Sequence, residues 1–272
     1  MVPDNYLVVG AGRMGGALLA GWLGDPVSGV IPEHLYIIDP HMGEDAKAAI
    51  HAGASEIKAD DKAMAKIDVV LLGIKPQAFN DIAPVIAAKL PDGALVISIL
   101  AGTTIEALER AFPNQHIVRA MPNTPAAVGA GMTAFTCTQG VTERQARTAE
   151  RLLRAGGKVR EVENEHMIDV VTAVSGSGPA YVFHMVEALE AAALDAGLPA
   201  DLAPEFARQT IVGAGALLEG THATASDLRV AVTSPNGTTQ AALDVLMPAL
   251  PTLMRDTVKA ALRRAKELAA GG

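Results

Sequence analysis

A chain of 272 residues is long enough for one large domain and a smaller one, which excludes a peptide or a disulfide-stapled mini-protein. Half of it is apolar but only 3% is aromatic, so its cores must be built from Ala, Val, Ile and Leu. The net charge of −8, with no Lys/Arg cluster to neutralise a phosphate backbone, argues against nucleic acid, and the single cysteine, Cys137, cannot form an internal disulfide and suits a reducing compartment.

In chain order, Asp4 and Asn5 precede the first apolar run, so no secretory signal fits. That run, 6–9, reads as a strand entering a Gly-rich turn, followed by a helix over 11–22, a strand over 35–39 and a helix over 45–52. Residues 68–74 form a strand that is apolar after Asp68, as a strand covered on both faces should be, and 95–100 and 116–121 continue the series. This alternation predicts a Rossmann-like doubly wound parallel sheet. After about Asn164 the strand-like runs stop, and 179–196, 202–218, 240–246 and 253–268 read as helices. The expected organisation is a dinucleotide-binding domain over 1–163 and an all-helical domain over 164–272. The uncharged stretches 120–142 and 170–186 are interrupted by Gly, Pro, Ser or Thr, so neither reads as a membrane span, and a soluble cytoplasmic protein is expected.

Gly10-Ala11-Gly12-Arg13-Met14-Gly15 is a GxGxxG between a strand and a helix, the context in which that motif binds a dinucleotide. Gly10 permits the tight turn, Gly12 lets backbone approach a pyrophosphate, Gly15 lets the helix pack on the sheet, and the helix N-terminus faces the negative charge. Asp39 ends the second strand, where a carboxylate accepts ribose hydroxyls and repels a 2′-phosphate, so the sequence leans toward NADH. Read alone, Asp39 also suits a turn before Pro40. Lys75 follows the third strand at the ligand edge, where it can meet a ribose hydroxyl or phosphate or stand in solvent. Ala101 and Gly102, after the next strand, offer small side chains against a nicotinamide.

Three further uncharged loops, 121–125, 175–179 and 233–239, present backbone N–H groups and hydroxyls with little bulk, which suits a small carboxylate-bearing ligand. Gly237, Thr238 and Thr239 stand where a helix begins, so their N–H groups can cradle an anion, although the hydroxyls also suit plain helix caps.

The segments GAGRMG (10–15), GIKPQ (73–77), ISILAGTT (97–104), VRAMPNTPAAVGAGMTA (118–134), TAVSGSGPAYVF (172–183) and TSPNGTTQAAL (233–243) resemble, in order, blocks of the pyrroline-5-carboxylate reductase family. The resemblance implies reduction of 1-pyrroline-5-carboxylate to proline with NADPH or NADH, the last step of proline biosynthesis. It implies a helical C-terminal domain that forms a homodimer, with five dimers often assembling into a decamer. Position by position, it places cofactor contacts on Gly10, Ala11, Gly12, Arg13, Met14, Gly15, Asp39, Lys75, Pro76, Ala101 and Gly102. Substrate contacts fall on Ser175, Gly176, Ser177, Gly237, Thr238 and Thr239, and Thr239 matches the threonine that hydrogen-bonds the ring nitrogen. The chain departs from the family pattern at Val230, where Asp is common after Leu-Arg, and at Asn236, where Gly is common.

No Ser/His/Asp triad, metal-spaced His/Cys set or paired carboxylate lies in these loops, and no metal is expected. Hydride transfer to an imine needs alignment more than strong acids or bases. The small-residue runs 191–193 and 213–216 suit close helix packing, expected against a second subunit. Two rivals stand beside this reading: a β-hydroxyacid dehydrogenase, which should carry a catalytic Lys where 180–197 has none, and a non-catalytic dinucleotide sensor, which has no use for the loops at 175–179 and 233–239.

Overall fold

Short apolar segments separated by glycine turns and amphipathic stretches pair into one eight-stranded sheet in the computed structural model, which describes residues 4–270. The outermost residues of both expected domains, 1–3 and 271–272, lie outside the described residues. The elements run β1 (Tyr6–Val9), α1 (Arg13–Gly24), β2 (Leu35–Ile38), α2 (Glu44–Ala52), β3 (Ser55–Glu56) and β4 (Val69–Leu72). They continue with α3 (Phe79–Ala87), β5 (Leu95–Ser98), α4 (Ile105–Ala111), β6 (His116–Met121), β7 (Gly131–Cys137), α5 (Glu143–Leu153) and β8 (Gly157–Glu161). Helices follow: α6 (Glu165–Val171), a π turn (Thr172–Gly176), α7 (Gly178–Asp195), α8 (Ala203–Gly220), α9 (Ala225–Ala231) and α10 (Thr238–Ala270).

The strand order is β3-β2-β1-β4-β5-β6-β7-β8, parallel throughout except that β7 runs antiparallel to β6. The order reverses direction between β1 and β4, and at such a switch point an open α/β sheet binds its ligands, beyond the carboxyl ends of the strands. Period-two alternation divides each central strand between two cores. Tyr6, Val8, Val69, Leu71, Leu95 and Ile97 pack on one face, and Leu7, Val9, Val70, Leu72 and Val96 on the other. The first face includes the buried Trp22 of α1, whose indole N–H donates to Leu152 O at 2.8 Å, so its polar atom is satisfied.

The expected Rossmann-like sheet is present, larger than the five strands read from the sequence by β3, β7 and β8. The two helices expected over 240–246 and 253–268 are one 33-residue helix, α10, with Pro248 and Pro251 inside it. Each proline removes one backbone donor without ending the helix. Two units emerge from the pattern of contacts. One runs to Ser177 and takes up the chain again at Ala261; the other is Gly178–Ala260. In the second unit α7 packs on α8, and only Ala203 and Ala207 are buried.

Candidate active site

The turn between β1 and α1 is shaped by two glycines that the chain itself requires. Gly10 has φ +88°, and a Cβ there would stand 2.7 Å from the backbone of Gly73 and Ile74; a Cβ on Gly15 would stand 2.2 Å from the Gly10 carbonyl oxygen. Gly12 differs, because a Cβ built there meets nothing within 4 Å. Packing within the chain does not account for Gly12. Gly12 is also the N-cap of α1 and gives its first turn no side-chain partner, so the leading N–H groups face outward. Arg13 stands exposed at the first helical position, with Met14 half-buried behind it.

Asp39 sits just past β2, where Gly10 N donates to Ile38 O at 2.9 Å. Its Oδ2 accepts from Ala11 N and its Oδ1 from His41 N, both at 2.7 Å. The Ala11 N–H is therefore spent within the chain. The carboxylate fixes the turn and keeps one further lone pair on each oxygen.

Lys75 is exposed ahead of a 3₁₀ turn, Pro76–Ala78, and makes no ion pair among the described residues. Pro76, Ala101 and Gly102 line one cleft of about 470 Å³ between α3 and α4, so the structure brings these three expected residues together. Gly102, at φ +76°, is not bare: Leu268 Cβ lies 3.4 Å from where its own Cβ would be.

Of the expected substrate residues, Ser175, Gly176 and Ser177 follow α6 across the π turn, which the Ser177 N to Thr172 O bond of 2.8 Å closes over five residues. Such a widened turn is a frequent mark of functional sites. The Ser175 hydroxyl donates back to Val171 O at 3.2 Å, whereas the Ser177 hydroxyl makes no hydrogen bond among the described residues. Asn123 reaches this segment, its Nδ2 donating to Ser175 O at 3.0 Å.

Gly237, Thr238 and Thr239 belong to the other unit. Gly237 N donates to Ser234 O at 3.0 Å, so the three-amide cradle expected from the sequence is reduced to Thr238 and Thr239. Pro235 and Asn236 are the central residues of that turn, and Asn236 takes φ 59°, the left-handed conformation that Gly would otherwise supply. The hydroxyls of Thr238 and Thr239 make no hydrogen bond among the described residues, so neither caps α10. Val230, where the family commonly has Asp, is 62% exposed.

Reading the sequence missed Arg119. Its side chain is buried on β6 and donates to Glu165 Oε1 at 2.5 Å and Asp169 Oδ1 at 3.4 Å, while the same Glu165 oxygen accepts from Ile105 N at 2.6 Å. One carboxylate thus ties the loop after β5 to α6. The signal was available, since a lone charge inside an otherwise apolar strand needs a buried partner. Burial, and then the nearby Glu161 carboxylate, push the half-buried Cys137 thiol up to about 12, which favours the thiol over the thiolate.

With this geometry established, residues 165–268 match the family described as pyrroline-5-carboxylate reductase dimerisation, and residues 6–102 match one described as NADP oxidoreductase, coenzyme F420-dependent. A pyrroline-5-carboxylate reductase from Synechocystis is 38% identical over 96% of this chain and 97% of that protein. A solved structure of a pyrroline-5-carboxylate reductase from Coxiella burnetii has a TM-score of 0.89 at 33% identity and covers 98% of both chains. One of a pyrroline carboxylate reductase from Plasmodium falciparum, with NADP bound, has a TM-score of 0.81 at 25% identity over 99% of both chains.

Proposed function

The chain belongs to the pyrroline-5-carboxylate reductase family, and from that premise we propose that it reduces 1-pyrroline-5-carboxylate to proline at the expense of a reduced nicotinamide dinucleotide. The observation that carries the reading is likeness along 96% of the chain to a reductase of that name. The turn at Gly12 supports it, since the residues present fit a dinucleotide: the one glycine of the motif not required by packing leaves the space that a pyrophosphate would enter.

The N–H groups of Gly12, Arg13 and Met14 would hold the pyrophosphate, Asp39 the adenosine ribose, and Lys75 and Pro76, with Ala101 and Gly102, the nicotinamide half. A bound dinucleotide supplies the two electrons and the hydrogen that the imine carbon takes up. The chain supplies position. Ser175, Gly176 and Ser177 give the substrate a low-bulk wall. The amides of Thr238 and Thr239, at the start of a long helix, take its carboxylate. The Thr239 hydroxyl donates to the ring nitrogen as hydride addition turns the iminium into an amine and a lone pair develops on that nitrogen. A neutral hydroxyl is too weak an acid to deliver a proton outright, so the proton comes from solvent with the substrate.

Replacing Thr239 by Val keeps its shape and removes the donor. The variant is expected to lose about tenfold or more in kcat/KM while NADH affinity holds. Unchanged steady-state kinetics would contradict this role. The charge on Asp39 disfavours a 2′-phosphate, so NADH is the preferred cofactor. We place the enzyme in the cytoplasm as a homodimer, five of which assemble into a decamer.

A further inference from the structure

We propose that Asn123 is a positioning residue: its side-chain amide holds the π turn that carries Ser175, Gly176 and Ser177 in the shape that meets substrate. The proposal rests on the reading of that segment as part of the substrate site. It goes beyond that reading by naming what fixes the segment.

Backbone accounting leads to Asn123. Ser175 O needs a donor, and the helical donor would be the N–H four residues on, at Pro179, which has none. The sequence Ser175-Gly176-Ser177-Gly178-Pro179 therefore leaves one carbonyl without its helical partner at the segment expected to touch substrate. Asn123 Nδ2 supplies the donor at 3.0 Å from 52 residues away. Its Oδ1 accepts from Met132 N at 2.9 Å, at the start of β7. Asn123 is itself the N-cap residue of the 3₁₀ turn Thr124–Val128, yet its side chain makes no cap there. An asparagine at an N-cap position ordinarily satisfies its own helix. This one is turned to a distant carbonyl, and the planar amide spans β7 and the π turn with one donor and one acceptor, each used. Met121 Cε stands 3.0 Å from where a Gly176 Cβ would be, so a side chain of β6 also packs against this turn. The Ser175 and Thr172 hydroxyls bond to Val171 O and Ile168 O of α6, whereas the Asn123 amide reaches the π turn from the segment between β6 and β7.

Asn123→Asp separates the two bonds. The carboxylate still accepts from Met132 N but cannot donate to Ser175 O. Expected are faster amide hydrogen exchange at 172–178 and a KM for 1-pyrroline-5-carboxylate raised about tenfold, with NADH affinity and the thermal midpoint nearly unchanged. Asn123→Gln, which keeps the amide, is expected to recover part of the KM. Unchanged exchange at 172–178 would overturn the proposal and leave the substrate reading in place. Faster exchange with an unchanged KM would overturn it by a different route, because the segment would then carry no substrate and the substrate reading would fail with it. A fall in thermal midpoint with parallel loss of NADH and substrate binding in both variants would also overturn it, as Asn123 would then be only a packing residue.

Discussion

Gly12 is the residue on which the cofactor assignment turns, because nothing inside the chain explains it. Gly10 needs a positive φ and Gly15 needs room beneath the Gly10 carbonyl, but Gly12 has open space where a Cβ would stand. Gly12→Ala is therefore expected to fold with little change in thermal midpoint and to raise the Kd of NADH and of NADPH about tenfold, since the added methyl meets only the ligand. Titration of the nicotinamide fluorescence checks this, and an unaltered Kd would contradict the assignment. The glycine motif was legible because spacing and context are sequence properties. So was the tolerance of Asn236 for a left-handed backbone, met at φ 59°. Which polar groups are already spent was not legible. Asp39 holds the amides of Ala11 and His41, and Gly237 N holds Ser234 O, because the folded chain brings those atoms within 3.0 Å.

Between elements, the buried Arg119 joins β6 to α6 and, through Glu165, to the first amide of α4. Arg119→Met removes the cation and leaves two carboxylates facing the gap. Glu165 is 32% exposed, so water recovers part of the loss, and about 1–3 kcal/mol of stability should go. The urea midpoint measures it, and a midpoint unmoved in the variant would show that the pair contributes nothing. The strands β1, β2, β4, β5 and β6 could be read because they are β-branched runs bounded by turn residues. β7 escaped because it is buried on both faces and rich in Gly, Thr and Ala, which gives no alternation to read. α10 was split in two because Pro248 and Pro251 mark a break by local propensity, and the fold overrides that preference across 33 residues.

Taken as a whole, the molecule buries its apolar residues unevenly. The sheet has a core on each face, while in the unit Gly178–Ala260 large apolar side chains stay exposed, among them Phe183 at 61%, Phe206 at 58% and Val245 at 77%. Exposure on that scale marks a surface made for another chain, and the match of 165–268 to a dimerisation family agrees with it. Sedimentation should give at least twice the 28.0 kDa chain mass, and ten times it for the proposed decamer; a species of 28.0 kDa at micromolar concentration would contradict the assembly. Fold and chemistry meet in one assay. Purified protein is mixed with 1-pyrroline-5-carboxylate and NADH, or NADPH in parallel, and the loss of reduced-nicotinamide absorbance is followed against proline formed. The expected result is one proline per dinucleotide oxidised, faster with NADH. An oligomeric protein that binds dinucleotide yet forms no proline with either would contradict the reductase reading.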